Sequence, residues 1–240
     1  MALPLFYTKP VPLDKQKHVK FKLKRQDNFG FAAGANSIPL AGFEFFEASR
    51  QFPIFFVKTH EEKFLPIAIL SLRKDGHDLG DNWEDSYIPA YLRRYPFILS
   101  HDGVVMFDEE APHLQEGEGE ALFGEDGETS KITNDIINFL QNVDKGYRLT
   151  EGFSKALADK ELLEPFKGKV NFPNGSVDLG KLYTINEKKM HETLSEPEVN
   201  EWFKKGWLGW SHAQLHSVGA VNQILRRARA AAPKAETADA

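Results

Sequence analysis

Residues 83–99 read WEDSYIPAYLRRYPFIL, crowding aromatic side chains, the adjacent pair Arg93 and Arg94, and prolines at 89 and 96 into one run. The run passes into His101-Asp102-Gly103 and then into Val104-Val105-Met106-Phe107. A tight-turn signal between two apolar stretches marks a hairpin. Strands are therefore expected over 96–100 and 104–108, so the apolar end of the run belongs to the core. No catalytic signature lies in it.

Working back toward the N-terminus, Ile54–Val57 and Ile67–Leu72 are apolar at consecutive positions, the pattern of strands covered on both faces. The short connector at His60–Lys63 favours an antiparallel pair. Asn36-Ser37-Ile38-Pro39 reads as a turn and helix start, with a short helix from about Leu40 to Gln51 stopped by Pro53. Val19–Lys24 alternates apolar and basic residues, the period-two mark of a half-buried strand. Its lysines suit an edge strand guarded against mispairing. Residues 1–18 read as an extended, proline-bearing arm.

Toward the C-terminus the rhythm becomes helical. Ser130 caps a predicted helix with Ile132, Ile136, Leu140 and Val143 on one stripe, ended by Gly146. A second helix begins at Thr150 and stops at Pro165. Phe172-Pro173-Asn174-Gly175 is a turn, followed by a short strand or two over 177–185. Ser195-Glu196-Pro197-Glu198 is a capping box with an early proline, and its helix ends at Gly206. A long helix from about Leu208 to Arg229 follows, and the small, polar tail at 229–240 is expected to be disordered. The fold class is α+β: a mainly antiparallel sheet with a short helix in the N-terminal half, and a helical C-terminal half packed on it. Residues 19–228 make one domain.

Composition narrows the function classes. The 240 residues are 41% hydrophobic and 27% charged, ordinary for a soluble globular chain. With no cysteine, disulfides, thiolate zinc sites and cysteine nucleophiles are excluded. The longest apolar runs, such as Phe64–Leu72, fall short of the about 20 residues of a membrane span. No basic residue precedes the N-terminal apolar part, and prolines interrupt it. No cleavable signal and a cytoplasmic location are therefore expected, with signal-independent export to the cell surface as the alternative.

The net charge of −5 hides an uneven layout. Asp108–Glu128 holds nine acidic residues and no lysine or arginine, while up to Arg25 seven basic residues face only Asp14. The basic head and acidic middle pair either within the fold or with another copy. The acidic balance, and the lack of a supporting basic helix, argue against nucleic acid.

Phosphate-loop and nucleophile-elbow motifs are absent. His212 and His216 stand at i and i+4 on the predicted last helix, a spacing that places two imidazoles on one metal. Ala213 follows His212 where a zincin motif needs Glu, so no metal and no cofactor is assigned. The candidate binding set is Tyr87, Tyr91, Arg93, Arg94 and Tyr95, with Asp108 and Glu109 from the acidic stretch. Tyrosine and arginine offer large contact area with a polar end, and two arginines grip a carboxylate or phosphate bidentately. The structural alternative has the tyrosines covering a sheet edge while Arg93 or Arg94 pairs with the acidic loop. The expected partner is a protein or a small anion; the oligomeric state stays open.

The same run carries a family resemblance. Tyr87–Leu99, YIPAYLRRYPFIL, is similar to the hallmark of the bacterial SapC family, named for surface-layer-associated proteins. Ile38-Pro39-Leu40 with Glu44-Phe45, Phe52–Phe56, Phe107-Asp108-Glu109, Leu122-Phe123, and Gly206-Trp207-Leu208 before His212–Ser217 agree in order. The resemblance covers about residues 5–228. It implies a non-enzymatic binding or assembly accessory linked to the surface layer or cell envelope, and it brings no catalytic residues. The alternatives are a metal-dependent or oxygenase-associated enzyme or accessory, and a small-anion sensor domain, which requires an enclosed pocket.

Overall fold

A computed structural model of the chain describes residues 3–25, 28–72, 76, 77, 79–81, 83, 86–172 and 175–230. In chain order the elements are β1 (Pro10–Pro12), β2 (Phe21–Leu23), β3 (Ser37–Pro39), α1 (Phe45–Ala48), β4 (Ile54–Lys58) and β5 (Phe64–Ile69). Then come α2 (Ala90–Arg93), β6 (Phe97–Leu99), β7 (Val105–Asp108), β8 (Leu114–Glu116) and β9 (Glu120–Ala121). The long helix α3 (Lys131–Asp159) precedes β10 (Leu163–Pro165), β11 (Lys169–Phe172), β12 (Gly175–Asp178) and β13 (Tyr183–Ile185). Helices α4 (Glu187–Thr193), α5 (Glu196–Lys204), α6 (Trp207–Ser217) and α7 (Val221–Ala230) close the described chain.

The largest sheet runs β10-β13-β4-β5-β3, each neighbouring pair antiparallel. Its central strands are apolar on consecutive positions because both faces are covered. Ile54, Phe56 and Ala68 pack toward Phe153 and Leu157 of α3 and Trp202 of α5. Phe55, Ile67 and Ile69 face the other way, onto Ile224 of α7. This is the α+β arrangement expected from the sequence, with antiparallel strands early and helices late.

The hairpin around 101–103 forms, with Phe97 opposite Phe107. Pro10–Pro12 of the arm adds to its other side, Pro10 facing Asp108. A third apolar cluster lies between this hairpin, β2, β8 and the start of α3, through Leu23, Phe97, Phe107, Leu114 and Ile132.

Four sequence expectations are corrected. First, β2 is not an edge strand. It lies between β8 and β9, so the basic head and acidic middle pair within the fold. Lys24 meets Glu118, Arg25 meets Glu120, and Lys9 meets Glu109. Such exposed pairs each contribute little. Second, Ser37–Pro39 is strand, and the helical turn spans only 42–48. Proline is tolerated there because β3 is the sheet edge.

Third, α3 runs unbroken through Gly146 and Thr150. A helical glycine costs only about 1 kcal/mol, too little to break a helix whose two halves both bury apolar stripes. Gly146 admits the Phe43 ring, which an added Cβ would meet at 2.3 Å. Fourth, the last long helix is interrupted at Val218–Ala220 by a tighter turn. Of the tail expected over 229–240, Arg229 and Ala230 extend α7, while 231–240, Pro173 and Asn174 of the expected turn, and Glu84 and Asp85 of the opening run lie outside the described residues.

Candidate functional site

The opening run folds as an elbow. Pro89 caps α2, and Ala90, Tyr91 and Leu92 of that single turn are buried. Glu44 fastens the elbow from the facing turn. Its Oε1 accepts from the Tyr87 hydroxyl at 2.9 Å and from the Ala90 N–H at 2.6 Å, while Oε2 accepts from the Ala41 N–H at 2.9 Å. Burial pushes the Glu44 carboxyl up, against the pull of those donors and of Arg93.

The remaining tyrosines tie the elbow to the arm. Tyr91 Oη accepts from the Leu5 N–H at 3.0 Å, and its ring lies 3.9 Å from the Arg94 guanidinium. Tyr95 stacks on Phe31 at 4.3 Å and donates to Asp108 Oδ2 at 3.3 Å. Burial, with Asp108 beside it, pushes the Tyr95 hydroxyl up to about 12. Asp108 is fully buried and also accepts from the Thr8 N–H and hydroxyl and from the Lys9 N–H at 2.8 Å. Burial pushes its carboxyl up, but these donors pull it down further, leaving it below the usual range. Glu109 pairs with Lys9 at the surface. Both acidic members of the candidate set therefore hold the arm.

Around Arg93, Arg94 and Tyr95 opens a cavity of about 500 Å³. Leu23 and Phe97 wall it from β2 and β6, and Phe29 and Phe31 from the connection after β2. Helix α3 contributes Ile132, Asp135, Ile136 and Phe139. Their spacing of i, i+3, i+4 and i+7 puts all four on one helix face. His113 closes another side, with Tyr95 and Phe31 edge-on to its ring. Burial holds its imidazole below the usual histidine range, and its Nδ1 has no hydrogen-bond partner.

Arg94 Nε is likewise buried without a partner. Among the described residues neither Arg93 nor Arg94 joins an ion pair, whereas Arg25 at the same cavity is engaged by Glu120 at 3.0 Å. Arg93 lies 5.4 Å from the Phe139 ring instead. A second cleft of about 540 Å³ is lined by Lys63, Tyr147, Arg148 and Glu151. Its charges are already matched, Lys63 by Glu151 and Arg148 by Asp144. Among the described residues Arg94 at the first cavity has no ion-pair partner, whereas Arg93 feels the buried Glu44 carboxyl.

His212 and His216 are both exposed on α6, and the His212 ring lies 6.5 Å from that of His191. Among the described residues no group of three or more His, Cys, Asp or Glu could hold a metal ion.

The sequence reading assembles Arg93, Arg94 and Tyr95 but misses Phe31, His113, Phe139 and Glu44. A signal exists for Phe139, which extends the stripe of Ile132 and Ile136. None marks His113, a lone histidine in an acidic stretch.

The model of the SapC family matches residues 13–224 of the chain. No curated protein and no solved structure matches it.

Proposed function

The chain belongs to the SapC family, and from that premise we propose that it is a non-enzymatic binding accessory whose partner is a small anion. The observation that carries this reading is Arg94, a partly buried guanidinium that lines the cavity with no ion pair among the described residues. A charge taken out of water without a counter-charge is costly, and an anion in the cavity offsets that cost. A protein docked on the tyrosines fits less well. Tyr91 is only 9% exposed, and Glu44 and Asp108 engage the hydroxyls of Tyr87 and Tyr95. The polar ends that make tyrosine a good interface anchor are thus already taken.

Thermal denaturation at low salt across a panel of small anions tests the proposal. A ligand that binds the native state raises the melting temperature with its concentration. The rise should vanish in the Arg93→Gln, Arg94→Gln double variant and shrink as salt increases. A wild-type protein that no anion stabilises would refute the reading.

A further inference from the structure

We infer that the anion this cavity takes is an aromatic carboxylate, a flat ring system bearing one acid group. This rests on the anion-binding reading above and narrows it to a ligand class. The walls supply the first reason. Phe29, Phe31, Phe97 and Phe139 line one space, with Ile132 and Ile136 beside them. An inorganic anion leaves that apolar surface unused. Aromatic rings prefer offset or edge-to-face contact with another ring, so a ring-shaped ligand gains directional contacts that an alkyl chain does not.

Charge supplies the second reason. Arg25 is committed to Glu120. Arg93 has Asp135 on the same lining and also feels Glu44, so among the described residues Arg94 is the cation left for a ligand, and one cation matches a monoanion better than a phosphate dianion. His113 adds no charge near neutral pH, because burial keeps it neutral. The Arg94 guanidinium has one face on Tyr91, and its Nε, on one edge of the fork, is buried without a hydrogen-bond partner. Edge-on, the guanidinium fork matches a planar carboxylate. Size is the third reason. A volume of about 500 Å³ lies in the lower half of the roughly 300–1,000 Å³ span of small-molecule sites, which suits one compact ligand over a long acyl chain.

Isothermal titration of the full chain with 2-naphthoate, acetate, inorganic phosphate and 2-naphthylmethanol tests the inference. One naphthoate per chain should bind, at least about tenfold tighter than each of the other three probes. Arg94→Gln should weaken naphthoate by about ten- to a hundredfold, the loss of a charge-assisted hydrogen bond. Ile136→Trp, which fills the cavity from α3, should remove binding, with circular dichroism melts showing that each variant is folded. Should a variant not fold, the wild-type probe series still decides. Acetate or phosphate binding as tightly as naphthoate, and still sensitive to Arg94→Gln, overturns the aromatic carboxylate while the anion reading stands. Equal binding of the uncharged alcohol, or no binding at all, overturns both. Naphthoate binding that neither variant changes places the ligand elsewhere and overturns the inference.

Discussion

The Tyr95 hydroxyl donates to Asp108 Oδ2 across 3.3 Å, so Asp108 touches the cavity wall with one contact and clamps the N-terminal arm with the others. The Thr8 and Lys9 N–H groups both end on this carboxylate. The arm also sends the Tyr7 hydroxyl to the Phe97 carbonyl at 2.6 Å, on the strand that forms the cavity's back. Arm, hairpin and cavity wall are one mechanical unit.

Asp108→Ala should therefore free the arm. It leaves two backbone donors without their acceptor in a partly buried site, an expected loss of about 1–3 kcal/mol. Urea denaturation gives the loss, and amide exchange at Thr8 and Lys9 should accelerate far more than exchange in β4. Tyr95→Phe removes only the link to the wall and should cost about 1 kcal/mol or less. The folded-state pKa of Asp108 lies below its ordinary 3.8. Its contribution is thus complete above that value and is lost as pH falls through the folded-state value. Acid exposure of the arm should begin below about pH 4 and be absent as a separate step in Asp108→Ala. Equal exchange rates in the variant and wild type would remove the clamp.

His113 makes a second pH dependence, in a different window. Burial lowers its pKa from the ordinary 6.5, so the unfolded chain takes up the proton first as pH falls. Stability should decline from about pH 6.5 down to the folded-state value and level off beneath it. His113→Phe keeps ring contacts with Tyr95 and Phe31 but cannot titrate. The slope of stability between about pH 7 and 5 should flatten in that variant. An unchanged slope would assign it to another group.

What the sequence discloses is local, and what it hides is distant. The hairpin at 97–108 and the start of α5 are written in a few adjacent residues, a tight turn and a capping box, and both form as read. Gly146 reads as a helix end because its reason for being glycine is Phe43, about a hundred positions earlier in the chain. The alternation in Val19–Lys24 tells which face is wet, but not that two acidic strands flank it. The same divide runs through the site. Arg93, Arg94 and Tyr95 announce themselves by density, while Phe31 and His113 come from separate loops that only the folded topology joins. Asp108 stands in the candidate binding set for a partner, but the donors it meets are the chain's own backbone and hydroxyl groups.

Gly42 is a close-approach position that a methyl group should disrupt. An added Cβ would stand 2.4 Å from the Trp210 ring. That ring is held by Phe153 at 5.5 Å and by Phe45 at 6.3 Å, so it has little room to retreat. Gly42→Ala is expected to lose about 1–3 kcal/mol, the range for an overpacked core. Trp210→Phe in the same chain should recover part of it, giving a coupling that a double-mutant cycle measures. Additive effects would mean that the clash is relieved elsewhere.

Gln214 closes the largest sheet where its strand pairing is thinnest. β13 and β4 share one register pair, Tyr183 with Phe56. Beside it, the fully buried Gln214 donates from Nε2 to the Ile54 carbonyl at 2.8 Å and accepts at Oε1 from the Ile185 N–H at 3.1 Å. One side chain thus supplies the hydrogen bonds that a longer ladder would. Ser217, one turn on, accepts from the Ile54 N–H at 2.9 Å, so α6 is bolted to β4 on both backbone groups of one residue. Gln214→Leu keeps the volume and leaves a carbonyl and an N–H unpaired, an expected loss of about 3 kcal/mol. Gln214→Glu keeps an acceptor for Ile185 but sets a charge opposite the Ile54 carbonyl, and should be no better at neutral pH. Urea midpoints with an unchanged m-value are the readout, since the loss acts on the native state. A Leu variant within about 0.5 kcal/mol of wild type, the spread of ordinary surface substitutions, would show that the strands hold each other without the helix.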